Sequence, residues 1–191
     1  MKNILLAVSG ASGAIYAKSF IEQINQIQSI YNDLNFYLIF TDTAKTVWED
    51  EIGKLQLFLE KQTKVQLINN SNFSFKYASG SNTLDAMVIL PCSMGTLGRI
   101  ACGISHDLIG RIADVQLKER RTLVICPRET PYSAIHLKNM LSLTQNGAII
   151  APACPSFYHK AQTLDKLAQS FSSRIIEISK IAQLDNNYKW E

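Results

Sequence analysis

The sequence predicts an α/β protein in which one parallel β-sheet is covered on both faces by helices. Short, almost wholly apolar runs alternate along the chain with segments of helical periodicity. Strands that are apolar on both faces belong to sheets that lie between two layers of helices. With 191 residues, of which 47% are hydrophobic, the chain has the size of one domain with a substantial core.

The elements can be assigned in chain order. A first strand at 3–8 ends in a glycine turn, and the helix after it has the apolar stripe Phe20, Ile24, Ile27 and Tyr31. Further strands are expected at 36–40, 86–91, 122–126 and 148–152, and further helices from 42 and over 93–104, 107–120, 133–145 and 164–181. The remaining section, 54–83, is compatible with helix, edge strand or loop.

The composition argues against two classes of partner. A net charge of +3 is too small for the clustered basic face of a nucleic-acid-binding domain. Apolar runs such as "AMVILP" are far shorter than the roughly 18 to 20 residues that span a bilayer. Only about five apolar residues precede Ser9 in the opening "MKNILLAVSG", fewer than a secretion signal needs. We therefore expect neither a nucleic acid nor a membrane as a partner.

The cysteines and histidines indicate neither disulfides nor a metal site. The four cysteines are scattered within apolar segments without a CxxC pair, which indicates reduced, mostly buried thiols in a cytoplasmic protein. The three histidines are dispersed and lack the spacing of metal ligands. These residues are Cys92, Cys102, Cys126, Cys154, His106, His136 and His159.

Ligand binding is expected at the carboxyl ends of the strands, near the topological switch point of the sheet. After the first strand, "SGASGAIYA" offers Gly10 and Gly13 for close backbone approach and Ser12 as a helix cap. The free backbone N–H groups of such a turn can bind an anion. The spacing matches neither GxGxxG nor the P-loop, and a simple strand-to-helix turn is the alternative interpretation.

The strand at 86–91 ends in a similar way. In "PCSMGTLGRIA", Ser93 and Thr96 supply hydroxyl groups, and Gly95 lets the backbone approach a ligand. Thr41 follows the second strand, where a helix cap is the simplest role for a threonine. Two strand ends that both carry hydroxyls and glycines fit a phosphorylated, ring-bearing cofactor.

Charged residues add further candidates. On the helix that precedes the fourth strand, Arg111, Asp114 and Lys118 share one face. That face can bind a ligand, or it can be a solvated face with one ion pair. Tyr158, in the proline-rich loop "PACPSFYHK", and Arg174 on the last helix become candidates only together with these cations.

The strand at 122–126 has charged residues at both ends. Arg128 and Glu129 follow it in a loop between two prolines, which indicates a ligand site. Arg120 and Arg121 precede the strand at its opposite end, where we expect a structural role.

Several of these segments together resemble the UbiX flavin prenyltransferase family: "SGASGAIYA", "ILPCSMGTL", "RIADVQLKERRTLVICPRETP", "IHLKNML" and "GAIIAPACPSFYHK". The resemblance runs from residue 4 to about residue 178, and PCSMGTL and LKERR followed by PRETP are its most specific pieces. It implies a three-layer, flavodoxin-like or Rossmann-like parallel sheet in a single domain over 1–191. The core would cover about 3–180, with a C-terminal helix and tail at 164–191.

The resemblance also implies an activity. Members of the family are transferases that join the dimethylallyl group of dimethylallyl monophosphate to reduced FMN at N5 and C6, without a metal. The prenylated FMN then serves a UbiD-type decarboxylase as its cofactor. The sequence leaves open whether this product feeds ubiquinone synthesis or aromatic-acid breakdown. The donor's chain length and its number of phosphates are open as well.

The resemblance further implies a homo-oligomer. The family forms trimer-based assemblies, up to a dodecamer, with the active site between subunits. The apolar stripe of the last helix extends to Ile181, beyond what the core requires. That stripe is an independent hint of self-association.

Matching motif positions assigns the site residues. The flavin would be held by Gly10, Ala11, Ser12, Thr41, Ser93, Met94, Gly95, Thr96 and Arg128. The prenyl phosphate would be held by Arg111, Lys118, Tyr158 and Arg174. The implied catalytic residues are Glu129, Glu51, Ser12 and Lys118. Cations can stabilise a departing phosphate, and carboxylates can move a proton at the reacting centre.

The sequence departs from the family pattern or offers alternatives at two places. The chain has His106-Asp107 where the family more often has Asp-Asn, and Glu49 and Asp50 are alternatives to Glu51.

Two other functions are compatible with a flavin-binding fold of this kind. A flavin-dependent cysteine decarboxylase of the same fold would need an early histidine and a PASANT-like motif, and the sequence has neither. A non-catalytic subunit that delivers FMN to a decarboxylase would bind flavin without turnover.

Overall fold

The computed structural model describes residues 2–30, 33–62 and 64–182. Within these residues, six strands form one sheet and seven α-helices and one 3₁₀ turn accompany it. The strands are β1 Lys2–Val8, β2 Leu34–Phe40, β3 Val65–Leu67, β4 Ala86–Cys92, β5 Thr122–Pro127 and β6 Ile149–Ile150. The helices are α1 Ala14–Ile30, α2 Asp42–Glu51, α3 Leu55–Leu59, α4 Met94–Ala101, α5 Leu108–Lys118, α6 Ala134–Gln145 and α7 Leu164–Ile178.

The strand order confirms the predicted fold class. The sheet runs β3–β2–β1–β4–β5–β6, and every neighbouring pair is parallel. This is the strand order of the Rossmann fold. When the short edge strand β3, which has only three residues, is left out of the order, the remaining five strands follow the flavodoxin order. All seven residues of the central strand β4 are buried, as its near-continuous apolar sequence predicts.

Two helical layers bury the two faces of the sheet. Helices α1, α2 and α7 pack on one face, and α4, α5 and α6 pack on the other. In the first layer, Trp48 of α2 is fully buried between the rings of Phe40 and Phe58. In the same layer, the Lys2 ammonium donates to the carbonyl oxygens of Lys180 and Ile181, at 2.7 and 2.9 Å, and thereby ties the segment directly after α7 to the start of β1.

Most helices begin at a side chain that the sequence supplies as a cap. In α2, α4, α5, α6 and α7 the N-cap side chain accepts a hydrogen bond from a backbone N–H of the first turn. These caps are Thr41, Ser93, Asp107, Ser133 and Thr163. Helix α1 is preceded instead by Gly13, whose φ of 110° favours glycine, and its cap comes from a different helix.

Two predicted segments differ from the structure. The strand expected over 148–152 is reduced to the two residues of β6, although the Ala151 N–H still bonds to a β5 carbonyl oxygen at 2.9 Å. The section 54–83 contains α3, β3 and the 3₁₀ turn Lys76–Ala78, joined by loops. All three possibilities left open for that section are therefore present in it.

The ends of two helices also require correction. The helix expected over 93–104 stops earlier, before Gly103, which adopts a φ of 68°. The last helix stops before Ile181, whose side chain is only 4% exposed and packs in the core. The hint of self-association taken from that residue is therefore wrong. Tyr31 of the first stripe and residues 183–191 of the predicted tail lie outside the described residues.

Candidate active site

The candidate site is a crevice above the carboxyl ends of β1 and β4. These strands are neighbours in the sheet, yet the helices that follow them, α1 and α4, pack on opposite faces. The two strand-to-helix turns therefore diverge and leave a crevice between them, as at the switch point of other parallel sheets.

The turn after β1 has backbone donors without an acceptor in the described part of the chain. Among the described residues, the N–H groups of Gly10 and Ser12 have no acceptor, whereas the Ala11 N–H donates to the Ser9 carbonyl oxygen at 2.8 Å. A Cβ atom at Gly10 would lie 2.5 Å from the Thr43 Cγ2 atom. Glycine is required here because the first turn of α2 packs against it.

Glu51, the last residue of α2, caps α1. Its Oε2 atom accepts hydrogen bonds from the N–H groups of Gly13 at 2.9 Å and Ala14 at 2.8 Å, and its Oε1 atom lies 3.2 Å from the Gly13 nitrogen. The carboxylate offsets the positive end of α1 and fastens that turn to α2. In the described structure, the exposed neighbours Glu49 and Asp50 make no such bond.

Ser9 ties the turn after β4 to the turn after β1. Its buried hydroxyl accepts from the Ser93 N–H at 2.7 Å and donates to the Pro91 carbonyl oxygen at 3.1 Å. The Ser93 hydroxyl in turn accepts from the Thr96 N–H at 3.3 Å. The sequence interpretation missed Ser9, although a polar residue directly after an apolar strand was the signal that identified its neighbours.

The first turn of α4 is open. The N–H groups of Met94 and Gly95 have no acceptor among the described residues. A Cβ atom at Gly95 would meet only the Arg99 Nη1 atom, at the ordinary contact distance of 3.7 Å. Free N–H groups with unfilled space beside them are what an anion needs at a helix N-terminus.

Arg128 joins the end of β5 to the same crevice. Its backbone N–H donates to the Cys92 carbonyl oxygen at 3.1 Å, and its side-chain Nε donates to the Ser12 carbonyl oxygen at 3.1 Å. The adjacent Glu129 carboxylate accepts from the Thr130 N–H at 3.0 Å. The structure thus places all nine predicted flavin residues directly after β1, β2, β4 and β5, with Glu51 bonded to the turn after β1 and Glu129 next to Arg128: Gly10, Ala11, Ser12, Thr41, Ser93, Met94, Gly95, Thr96, Arg128, Glu51 and Glu129.

Two predicted phosphate ligands lie elsewhere in the protomer. Lys118 ends α5 before β5 begins, whereas Arg128 follows the last residue of β5, whose six residues span about 20 Å. The Lys118 ammonium pairs with Glu119, while Arg111 binds Asp114 at 3.0 Å and a backbone carbonyl oxygen at 2.9 Å. Within one chain, Lys118 is therefore separated from Arg128 by the length of β5, and Arg111 bonds to other partners.

The charged residues around Lys118 stabilise the local structure at this edge of the sheet. Arg121 donates to the carbonyl oxygens of Asn82 at 2.7 Å and Gly80 at 2.8 Å, which holds the loop before β4. The Lys118 ammonium lowers the pKa of the Glu119 carboxyl below its usual range. The contacts of Arg121 are those of the structural role that we expected for it.

The remaining predicted ligands are on the surface of the protomer. Tyr158 is 59% exposed in the loop before α7, and its ring packs edge-on against the His159 ring at 4.2 Å. Arg174 projects from α7 and pairs with Glu177 at 3.4 Å. Their roles at a phosphate stay predictions.

The cysteines divide into two buried and two exposed thiols. Burial raises the pKa of the Cys92 thiol to about 12 and raises that of Cys126 well above its usual range. Cys102 and Cys154 are exposed, so the expectation of mostly buried thiols holds for only half of the four cysteines.

Tyr16 borders the turn after β1. Burial raises the pKa of its hydroxyl, and the nearby Cys154 raises it further.

The pair His106-Asp107, where the sequence departs from the family pattern, retains a structural function. The Asp107 carboxylate caps α5 by accepting from the Gly110 N–H at 2.8 Å. His106 lines a cavity of about 560 Å³ beside the ends of β2 and β3.

In the part of the chain that the structure describes, no cluster of three or more metal-ligand side chains is present. No described helix has the length and apolar character needed to cross a membrane.

The chain is similar to known flavoproteins along nearly its whole length. Residues 1–176 match the protein family described as Flavoprotein. The flavin prenyltransferase UbiX of Methanocaldococcus jannaschii is 39% identical over 175 residues, which are 92% of this chain and 91% of that protein.

Two solved structures have the same fold. AnUbiX (PadA1), in complex with FMN and dimethylallyl pyrophosphate, has a TM-score of 0.88 and 32% identity over 100% of this chain and 99% of that chain. A dodecameric FMN-dependent UbiX-like decarboxylase from Escherichia coli O157:H7 has a TM-score of 0.89 and 31% identity over 100% of both chains. The chain therefore belongs to the Flavoprotein family and, within it, to the UbiX flavin prenyltransferases, which are transferases.

Proposed function

We propose that this protein joins the dimethylallyl group of dimethylallyl monophosphate to reduced FMN, forming bonds at N5 and C6 of the flavin. The observation that carries the proposal is the crevice between the turns after β1 and β4. Four of its backbone N–H groups have no acceptor among the described residues, and an arginine borders them. Membership of the UbiX family supplies the ligand that such donors would bind.

The crevice has the donors that a flavin phosphate and ring require. Backbone N–H groups at a helix N-terminus bind phosphate, and the hydroxyls of Ser93 and Thr96 stand beside them. The unfilled space at Gly95 leaves room for a ligand. In this proposal FMN is held by Gly10, Ala11, Ser12, Thr41, Ser93, Met94, Gly95, Thr96 and Arg128.

The chain's own residues have two tasks, since bound reduced FMN supplies the nucleophilic atoms. The first is to bind the donor's phosphate and stabilise the negative charge that develops as it departs. The proposed ligands of the donor's phosphate are Arg111, Lys118, Tyr158 and Arg174, while Arg128 holds the flavin at the crevice. The second task is to accept and return protons. The proposed residues for proton transfer are Glu129 and Glu51, and Ser12 and Lys118 complete the catalytic set.

We further propose that the prenylated FMN becomes the cofactor of a UbiD-type decarboxylase, in quinone synthesis or in aromatic-acid breakdown. The four unpaired cysteines support a cytoplasmic site for the reaction. The AnUbiX structure contains dimethylallyl pyrophosphate, so the monophosphate and the pyrophosphate are the two donors to compare.

Exposed apolar side chains on α6 support the proposal of a trimer-based homo-oligomer. This helix buries only Met140 and Leu143, while Ile135, Leu137 and Leu141 are 69%, 53% and 58% exposed. Burying such a side chain contributes about 1.5–3 kcal/mol. The E. coli relative, described as dodecameric, also supports an assembly.

In an oligomer, a second copy of the chain could bring the proposed phosphate ligands to the crevice of the first. Lys118 lies at the opposite end of β5 from Arg128, and Arg111 bonds to Asp114 and a backbone carbonyl oxygen, so we propose that a neighbouring copy supplies both. Helix α6 directly follows the loop that carries Arg128 and Glu129. Association through α6 therefore brings a neighbour close to the crevice.

The function is tested by incubating the protein anaerobically with reduced FMN and either donor, in the presence of EDTA. We expect a flavin that is heavier by one dimethylallyl group. A protein that binds FMN but leaves its mass unchanged would be the non-catalytic delivery subunit instead.

A further inference from the structure

Arg99 belongs to the last turn of the eight-residue helix α4, yet its side chain carries the positive charge back to the start of that helix. Helical side chains lean toward the N-terminus, and the Arg99 Nη2 atom donates to the Thr96 Oγ1 atom at 3.1 Å. Its Nη1 atom lies 3.7 Å from the position that a Cβ of Gly95 would take. The guanidinium therefore lies beside the open first turn of α4.

This arrangement is electrostatically unfavourable in the absence of an anion. The N-terminus of a helix carries a partial positive charge, and cations are favoured at the opposite end. In the described part of the chain, Arg99 forms no ion pair that would offset its charge. The N–H groups of Met94 and Gly95, which also lack acceptors there, add to the same positive region.

A phosphate group would relieve this repulsion. Guanidinium groups bind phosphate with two parallel hydrogen bonds, and free N–H groups at a helix start bind it as well. The Thr96 hydroxyl is already shared with Arg99 and with Ser93, whose Oγ lies 3.1 Å away. An arginine, two hydroxyls and two free N–H groups thus converge on one small volume.

We propose that Arg99 is a phosphate-binding residue of the flavin site, and that it distinguishes FMN from flavins that lack the phosphate. This proposal rests on the proposed function, since it concerns the same crevice. It adds a residue that the sequence interpretation did not assign, because an arginine inside a helix normally belongs to a solvated face.

The test measures flavin affinity rather than turnover. Flavin-free wild-type protein, Arg99→Gln, Arg99→Lys and the exposed-charge control Lys61→Gln are titrated with FMN and with riboflavin, and the quenching of flavin fluorescence is followed. We expect the Kd of Arg99→Gln for FMN to rise about 10- to 100-fold, as for the loss of a charged hydrogen bond. Its Kd for riboflavin should change by less than roughly twofold. Arg99→Lys should recover part of the affinity for FMN, and Lys61→Gln should match the wild type.

A second measurement does not depend on the flavin ring. Inorganic phosphate should raise the melting temperature of the flavin-free wild type and raise that of Arg99→Gln less. Equal losses for FMN and riboflavin, or no loss for either, would overturn the proposal. An unchanged Kd for FMN combined with a higher KM for the prenyl donor would also overturn it, because the guanidinium would then serve the donor's phosphate.

Flavin binding distinguishes a failure of the proposed function from a failure of the Arg99 proposal. A wild-type protein that binds no FMN would refute the proposed function itself. A wild type that binds and prenylates FMN, together with an Arg99→Gln variant of unchanged preference for FMN over riboflavin, would refute only the role of Arg99.

Discussion

Replacing Glu51 with alanine should loosen the turn that forms one side of the crevice. The carboxylate accepts hydrogen bonds from two N–H groups at the start of α1, and the loss of a side-chain cap costs about 1 kcal/mol of unfolding free energy. For a chain of 191 residues, this corresponds to a decrease of about 2–4 °C in melting temperature. Glu51→Gln keeps one carbonyl oxygen as an acceptor and should lose about half as much.

Thermal unfolding of the flavin-free protein measures this effect, and FMN titration measures its consequence for the site. We expect Glu51→Ala to bind FMN several-fold more weakly, because the free N–H groups of Gly10 and Ser12 lose their fixed position. Glu49→Gln is the matched control, since Glu49 lies on the same helix and is exposed. The capping role is wrong if Glu51→Ala melts at the wild-type temperature, or if Glu49→Gln is destabilised as strongly.

Three further predictions concern the rest of the molecule. Lys118→Met should slow prenylation about 10²- to 10³-fold with FMN binding intact, whereas Arg121→Met should chiefly lower the melting temperature; the reverse pattern would contradict both roles. Leu141→Glu should reduce the assembly to smaller species in light scattering and lower the activity, and an unchanged mass would exclude α6 as the interface. A thiol reagent should modify two of the four cysteines in the native protein and all four in denaturant, because burial raises the pKa of the other two.

The fold could be predicted because most strands are recognisable in the sequence as short apolar runs. Runs such as the one that forms β4 are buried along their whole length, and their apolar composition together with their short length distinguishes them from helices. The section 54–83 was not predictable, since α3 and β3 have only five and three residues. Neither the period of a helix nor that of a strand can be established over so few positions.

The candidate site was predictable wherever a residue follows a strand, because parallel strands bring their carboxyl ends together. Gly10, Ser93 and Arg128 were found in this way. The capping of α1 by Glu51 depends on how two helices pack, and no local pattern encodes such packing. Arg99 was missed for a related reason, since only its side-chain direction brings it to the start of α4.

The central claim is that this crevice carries out prenyl transfer to reduced FMN at both N5 and C6. Its most direct test is an anaerobic incubation of the wild-type protein with dimethylallyl monophosphate and reduced FMN that carries deuterium at C6, followed by mass spectrometry of the released flavin. We predict a product that has gained one dimethylallyl unit and has lost the C6 deuterium, because a bond at C6 displaces that atom. Recovery of unmodified FMN would contradict the proposed activity, and a prenylated flavin that keeps the deuterium would contradict bond formation at C6.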